Sequence, residues 1–255
     1  MHPQAAERLF SSLPAGTEKV VVESRPQYVT AETLARMTPL VPRLEVALGL
    51  ESASDRVLHR CVHKGFTFAD YTRAVQAARD AGAGVRTYLL LKPPFMTELA
   101  AVEDARSSLE AVALFSDHVS LNLATVQRGT YVEYLWQRWG YRPPWLWSAV
   151  DLARWWAEDG PGAGEGSGVA EGHDVKVTKG RDAYRVPLTL DPVGAGSPRG
   201  PHNCGRCDRQ VAAALRRFSL SQDAHEFDAL RCGCRGLYKK YMELEEVAFG
   251  ATLLR

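Results

Sequence analysis

Alternation of strand and helix signals along the first half constrains this chain more than any other feature. Short β-branched or apolar runs recur at 19–23, 44–49, 85–91 and 118–123, and helical periodicity fills the gaps between them. The segment 67–81 opens on Thr67-x-x-Asp70, a reciprocal cap. It carries Tyr71, Ala74, Ala78 and Ala81 on one face and stops at Gly82. Residues 97–115 repeat the design with Ala101, Ala105, Leu109 and Val112, and shorter helices are expected at 3–13 and 31–37. Strand–helix–strand units of this length need right-handed crossovers and therefore a parallel sheet. Four strands and three crossovers predict an α/β fold, either an open sheet or part of a (β/α) barrel. No Gly-rich phosphate loop follows any strand, which removes the best support for a nucleotide-binding doubly wound fold.

In both architectures ligands bind at the C-terminal edge of the strands. Here the strands run into Glu23-Ser24-Arg25, Gly49-Leu50-Glu51-Ser52, Lys92-Pro93-Pro94, and Asn122 followed by Gln127 and Arg128. Any parallel sheet has to end its strands in something polar, so this gathering marks an edge to inspect rather than a site.

Composition narrows the class. The chain has 255 residues, 31 Lys or Arg against 30 Asp or Glu, and 45% hydrophobic residues, too apolar for disorder to be its main state. Apolar runs are too short to span a membrane, and the first residues lack the basic-then-apolar layout of a secretory signal, so a soluble cytoplasmic protein is expected. Near-neutral charge argues against a general nucleic-acid coat. A local excess does occur between 199 and 240, with nine Arg or Lys against four Asp or Glu, which suits either a phosphate backbone or a solvated helix face.

The second half changes character. All six Trp residues fall at 136, 139, 145, 147, 155 and 156, at spacings that suggest packing against the sheet, with a stacking platform as the alternative. A Gly-rich stretch at 159–172 reads as a linker or insertion, and a short strand is expected at 186–190. Cys204, Cys207, Cys232 and Cys234 then cluster within 31 residues, around a helix carrying Val211, Leu215 and Phe218. In an intracellular chain such bunching favours metal over disulfides. Four thiolates make a closed structural zinc site, and an iron–sulfur cluster would use the same ligands; His202 is a possible substitute ligand. Cys61, standing apart, reads as a buried inert thiol.

Several segments together resemble a known family: ESRPQYV (23–29), VALGLES (46–52), HKGF (63–66), YLLLKPPF (88–95), VQRGTYVEYLW (126–136), YRPPWLWS (141–148) and RGPHNCGRCD (199–208). They are similar to the archaeosine-biosynthesis radical SAM family, within the elongator-catalytic-subunit and MiaB-like radical SAM group. The resemblance implies a partial (β/α) radical SAM barrel over 1–156 (strands three to six), a linker or insertion over 157–182, and a small cysteine-rich α+β domain over 183–255. It also implies a lyase that converts a lysine-bearing deazaguanine in tRNA to archaeosine, alongside a lysine-transferring partner subunit. S-adenosylmethionine (SAM) and a [4Fe-4S] cluster would be its cofactors. By position, Glu23, Arg25 and Ser52 would meet SAM, while Lys92, Asn122, Gln127 and Arg128 would face SAM or the modified base. The sequence departs from the pattern in one respect: none of its cysteines has the CxxxCxxC spacing that holds the cluster. The resemblance therefore implies a chain that begins after the family's first two strands and leaves an unpaired edge at 19–23. A non-catalytic RNA- or partner-binding half-barrel with a zinc module is the other reading.

Overall fold

The computed structural model describes residues 3–161 and 186–249. Five parallel strands, β1 (Val20–Ser24), β2 (Leu44–Glu51), β3 (Gly84–Leu91), β4 (His118–Leu123) and β5 (Leu188–Thr189), form one sheet in sequential order. Between and beyond them lie α1 (Pro3–Ser11), α2 (Ala31–Ala35), α3 (Asp55–Val57), α4 (Phe68–Asp80), α5 (Glu98–Ala113), α6 (Tyr131–Gln137), α7 (Leu146–Glu158), α8 (Asp208–Ser221) and α9 (Cys234–Phe249). Sequential order with every pair parallel is the wall of a partial (β/α) barrel.

Local signals act as expected. Thr67 and Asp70 cap α4 reciprocally, and the Thr97 side chain accepts from the Ala100 amide at the start of α5. Tyr71, Ala74 and Ala78 of α4 and Ala101, Ala105, Leu109 and Val112 of α5 are buried against the outer face of the sheet. That face carries Val85, Leu89 and Leu91 of β3 and Val119 and Leu121 of β4. Each fully buried Leu among them contributes about 1.5–3 kcal/mol. Thr87, the polar exception, is satisfied by the Tyr71 hydroxyl at 2.6 Å.

The short strand expected at 186–190 is a fifth strand of the same sheet, with Leu188 opposite Val119. A single apolar cluster runs from Phe10 through Trp156 to Phe218 and Tyr238, so the cysteine-bearing segment shares the core of the sheet. Most of the expected linker at 157–182 lies outside the described residues. Among the described residues β1 is an edge strand, paired to β2 alone, with Val21 40% exposed. No described helix is long and apolar enough to cross a membrane.

Candidate functional site

Period-two alternation turns Glu45, Ala47 and Gly49 of β2, Arg86 and Tyr88 of β3, and Ser120 and Asn122 of β4 to the inner face, away from the helices. The register places Glu23 beside Ala47 and Arg86, and Gly49 beside Tyr88 and Ser120. Small residues on β2 leave room for the long side chains of β3 to lie across the sheet. At the C-terminal ends of the strands this face opens into a cavity of about 940 Å³, bordered by Glu23, Arg25, Glu51, Tyr88 and Asn122. Burial, and next the Glu23 carboxylate beside it, push the Tyr88 hydroxyl above its ordinary pKa.

The opposite end of the inner face is closed by charge pairing. Glu45 is buried and accepts from Lys19 at 2.8 Å and Arg86 at 2.6 Å. Burial would raise its carboxyl, but the two cations outweigh it and hold it below the usual range. His118 contacts Thr189 at 3.0 Å, and burial, reinforced by Arg86, lowers its pKa to about 4.

Of the residues singled out in the sequence, Glu23, Arg25 and Asn122 meet at the cavity. Glu23 and Arg25 are exposed, and the Arg25 guanidinium lies over Gly65 of the HKGF segment. Ser52 is not among the cavity residues. It is fully buried on the helix side, donating to Asp104 of α5 at 2.9 Å and accepting from the Ser54 amide. Lys92 is buried too: its ammonium lies 2.7 Å from the Glu98 carboxylate, whose other oxygen takes the Trp145 amide and the Ser148 hydroxyl. Gln127 and Arg128 stand exposed on the loop after β4. Two groups escaped sequence reasoning, Tyr88 and Lys64. Tyr88 was detectable from strand parity alone. Lys64 bridges the Gly49 carbonyl at 2.9 Å and Glu51 at 3.0 Å, and so fixes the bulge between β2 and β3.

A second site lies where α8 and α9 begin. The sulfurs of Cys204, Cys207, Cys232 and Cys234 all fall within 4.8 Å of one another. Adjacent pairs lie 3.9 Å (Cys204–Cys207), 3.7 Å (Cys204–Cys232) and 3.5 Å (Cys207–Cys234) apart. A tetrahedral ion with bonds of about 2.3 Å to sulfur spaces its ligands by ~3.8 Å, so the group fits one ion. A four-iron cubane, with each thiolate on a different iron, spreads its ligands further. Backbone amides of Arg206 and Cys207 point at the Cys204 sulfur, lowering its pKa to about 6, whereas burial raises Cys207 and Cys234. The Trp147 indole donates to Cys234 at 3.2 Å and the Asn203 amide to Cys207 at 3.5 Å. His202 is not part of the group; its Nδ1 faces the Gly200 carbonyl at 2.8 Å. The fifth cysteine, Cys61, is buried, and burial with the nearby Asp104 raises its pKa. These five cysteines therefore supply no open three-thiolate set for a SAM-binding cluster.

No family model matches the chain. Over 257 residues it is 38% identical to archaeosine synthase subunit beta of Methanosarcina acetivorans, spanning 99% of this chain and 67% of that protein. The chain belongs to the archaeosine synthase subunit beta family. The family member of Thermococcus kodakarensis is 37% identical over 248 residues, with 95% of this chain and 69% of that protein covered. Among solved structures, the archaeal Elp3 of Methanocaldococcus infernus with residues 1–46 deleted superposes with a TM-score of 0.56 at 16% identity. It covers 90% of this chain and 46% of that one. The likeness shows that most of this chain shares the fold of that protein.

Proposed function

We propose that this subunit forms the SAM- and base-facing wall of the enzyme that converts a lysine-bearing deazaguanine in tRNA to archaeosine, with a lysine-transferring subunit supplying the modified tRNA. The observation that carries the reading is an exposed carboxylate and guanidinium, Glu23 (beside the Tyr88 hydroxyl) and Arg25, at the rim of a large cavity on the strand edge where such folds bind ligands. The family's part in archaeosine-related tRNA modification gives that cavity its chemistry.

Glu23 would pair with the ammonium of SAM, and Arg25 is placed to take a carboxylate through two parallel hydrogen bonds. Asn122 offers both a donor and an acceptor to the base edge. SAM held there, with a cluster ligated outside these cysteines, would supply the radical chemistry. The cysteines of this chain do not provide that cluster. The chain's own contribution is to hold the reactants together and away from water. The four thiolates would hold zinc, which contributes folding energy and no chemistry.

The test is nucleoside mass spectrometry of tRNA from a strain lacking the gene. Archaeosine should vanish and the lysine-bearing deazaguanine accumulate. The native gene should restore archaeosine, and the Glu23→Ala gene should not. Persistence of archaeosine in the deletion strain would end this reading.

A further inference from the structure

On the surface beside the mouth, three exposed rings and one guanidinium form a continuous row. Phe95, in the turn after β3, meets Tyr131 of α6 with ring centroids 6.1 Å apart. Tyr131 stacks on Tyr134 at 5.5 Å and 13°, and the Arg138 guanidinium lies 3.8 Å over the Tyr134 ring. The rings are 49%, 61% and 46% exposed, so the core does not use these faces. Trp139 follows at 95% exposure. Phe95 holds its place at φ +68°, a conformation that costs a non-glycine residue about 1–2 kcal/mol. A surface phenylalanine gains nothing from that cost by its own burial.

The row is rigid from behind. Trp136, on the other side of α6, donates to the Pro198 carbonyl at 3.1 Å and carries Arg199 over its ring at 4.9 Å. Arg199 in turn pairs with Glu133, the only acidic residue between 127 and 142, so Arg128 and Arg138 meet no free carboxylate within that segment. The row also leads to the mouth. A smaller cavity of about 340 Å³ is lined by Pro94, Val132 and Asn122, the first two next in sequence to Phe95 and Tyr131. Asn122 borders the large cavity as well.

We propose that Phe95, Tyr131, Tyr134 and Arg138 are a stacking platform for unpaired RNA bases, placed to hold nucleotides flanking a base that enters past Asn122. This deepens the tRNA reading above and rests on it for the identity of the RNA. Flat π faces ending in a guanidinium match bases joined by phosphates. Aromatic rings and arginine also occur at protein interfaces; what favours RNA is the row's continuity, through Pro94 and Val132, with the cavity at Asn122 where a base enters.

Fluorescence anisotropy with a labelled eight-nucleotide single-stranded RNA, and with tRNA, tests the platform on the native chain and on exposed-ring variants. Tyr131→Ala/Tyr134→Ala should weaken both at least tenfold, since each stacked base is worth about 1–3 kcal/mol. Tyr131→Phe/Tyr134→Phe, which keeps the rings, should bind within threefold of native. Equal binding by native and alanine forms overturns the platform, as does a native chain that binds neither RNA. Loss of the partner subunit from the alanine form with RNA affinity intact overturns it in favour of a protein interface. If oligonucleotide binding falls as expected while archaeosine persists in the deletion strain, the platform stands and the archaeosine reading fails.

Discussion

The thiolate centre and the strand-end mouth handle polar groups in opposite ways. At the centre every donor has a destination: four sulfurs converge within 4.8 Å, and indole, amide and backbone N–H groups aim at them. At the mouth Glu23, touching the Tyr88 hydroxyl, and Arg25 are exposed beside an open cavity. Saturated clusters fix a fold, because removing one member strands the rest in a poorly solvating interior. Unsaturated ones cost stability and are retained where a ligand completes them. The same contrast separates the two faces of the sheet, since Ser52 and Lys92 are saturated on the helix side.

This comparison breaks most sharply at the metal. If the four thiolates hold zinc as proposed, Cys207→Ser should abolish stoichiometric zinc, read by elemental analysis, and lower the thermal midpoint by roughly 10 °C or more, because an ion held by four thiolates contributes folding energy. A variant without zinc but with a native midpoint would show that the centre is not structural. Next comes the buried pair. Lys92→Met leaves Glu98 uncompensated and should cost about 3–5 kcal/mol in denaturant unfolding, whereas unchanged stability with lost ligand binding would move Lys92 to the mouth.

Asp104 gives a smaller, pH-dependent effect. Burial pushes its carboxyl up to about 6, against the lowering pull of the Ser52 hydroxyl. A folded pKa above the unfolded value means the native state holds the proton more tightly. The stabilisation is complete below about pH 4 and is lost as pH rises through 6, on the order of 3 kcal/mol. Asp104→Asn should flatten this part of the stability–pH curve, and an unchanged slope would place its cause elsewhere. The smallest effect on stability belongs to Glu23→Ala. Its midpoint should stay within about 1 °C, since surface changes stay within roughly 0.5 kcal/mol, while SAM affinity in equilibrium dialysis falls about tenfold. Undiminished affinity would remove Glu23 from the site.

Much of the barrel wall was legible from residues. β-Branched runs, the Thr67–Asp70 cap and the apolar faces of α4 and α5 located strands and helices to within a few residues. The four cysteines announced their own convergence. Ser52 is instructive because strand parity already placed it with Val46, Leu48 and Leu50 on the helix side, and attention to strand ends alone obscured this. Lys92 was beyond parity, which aims it inward. Its backbone takes φ +60°, and the side chain turns back to Glu98. Nothing in a non-glycine residue announces a left-handed turn. The aromatic row was hidden for a different reason: Phe95 comes from the turn after β3 and Tyr131 from α6, and only the tertiary fold brings their rings together.

The order of the strands also has a bearing on how the chain is made. Because every strand pairs with the one synthesised before it, the wall can grow in step with translation, each new unit docking on a finished neighbour. The sulfurs behave otherwise. Cys234 must emerge before the tetrad exists, and its tie to Trp147 reaches back 87 residues. The ion proposed there would act last, as a latch on an already assembled wall, so scarcity of metal during synthesis would release chains with a formed sheet and an unclosed end.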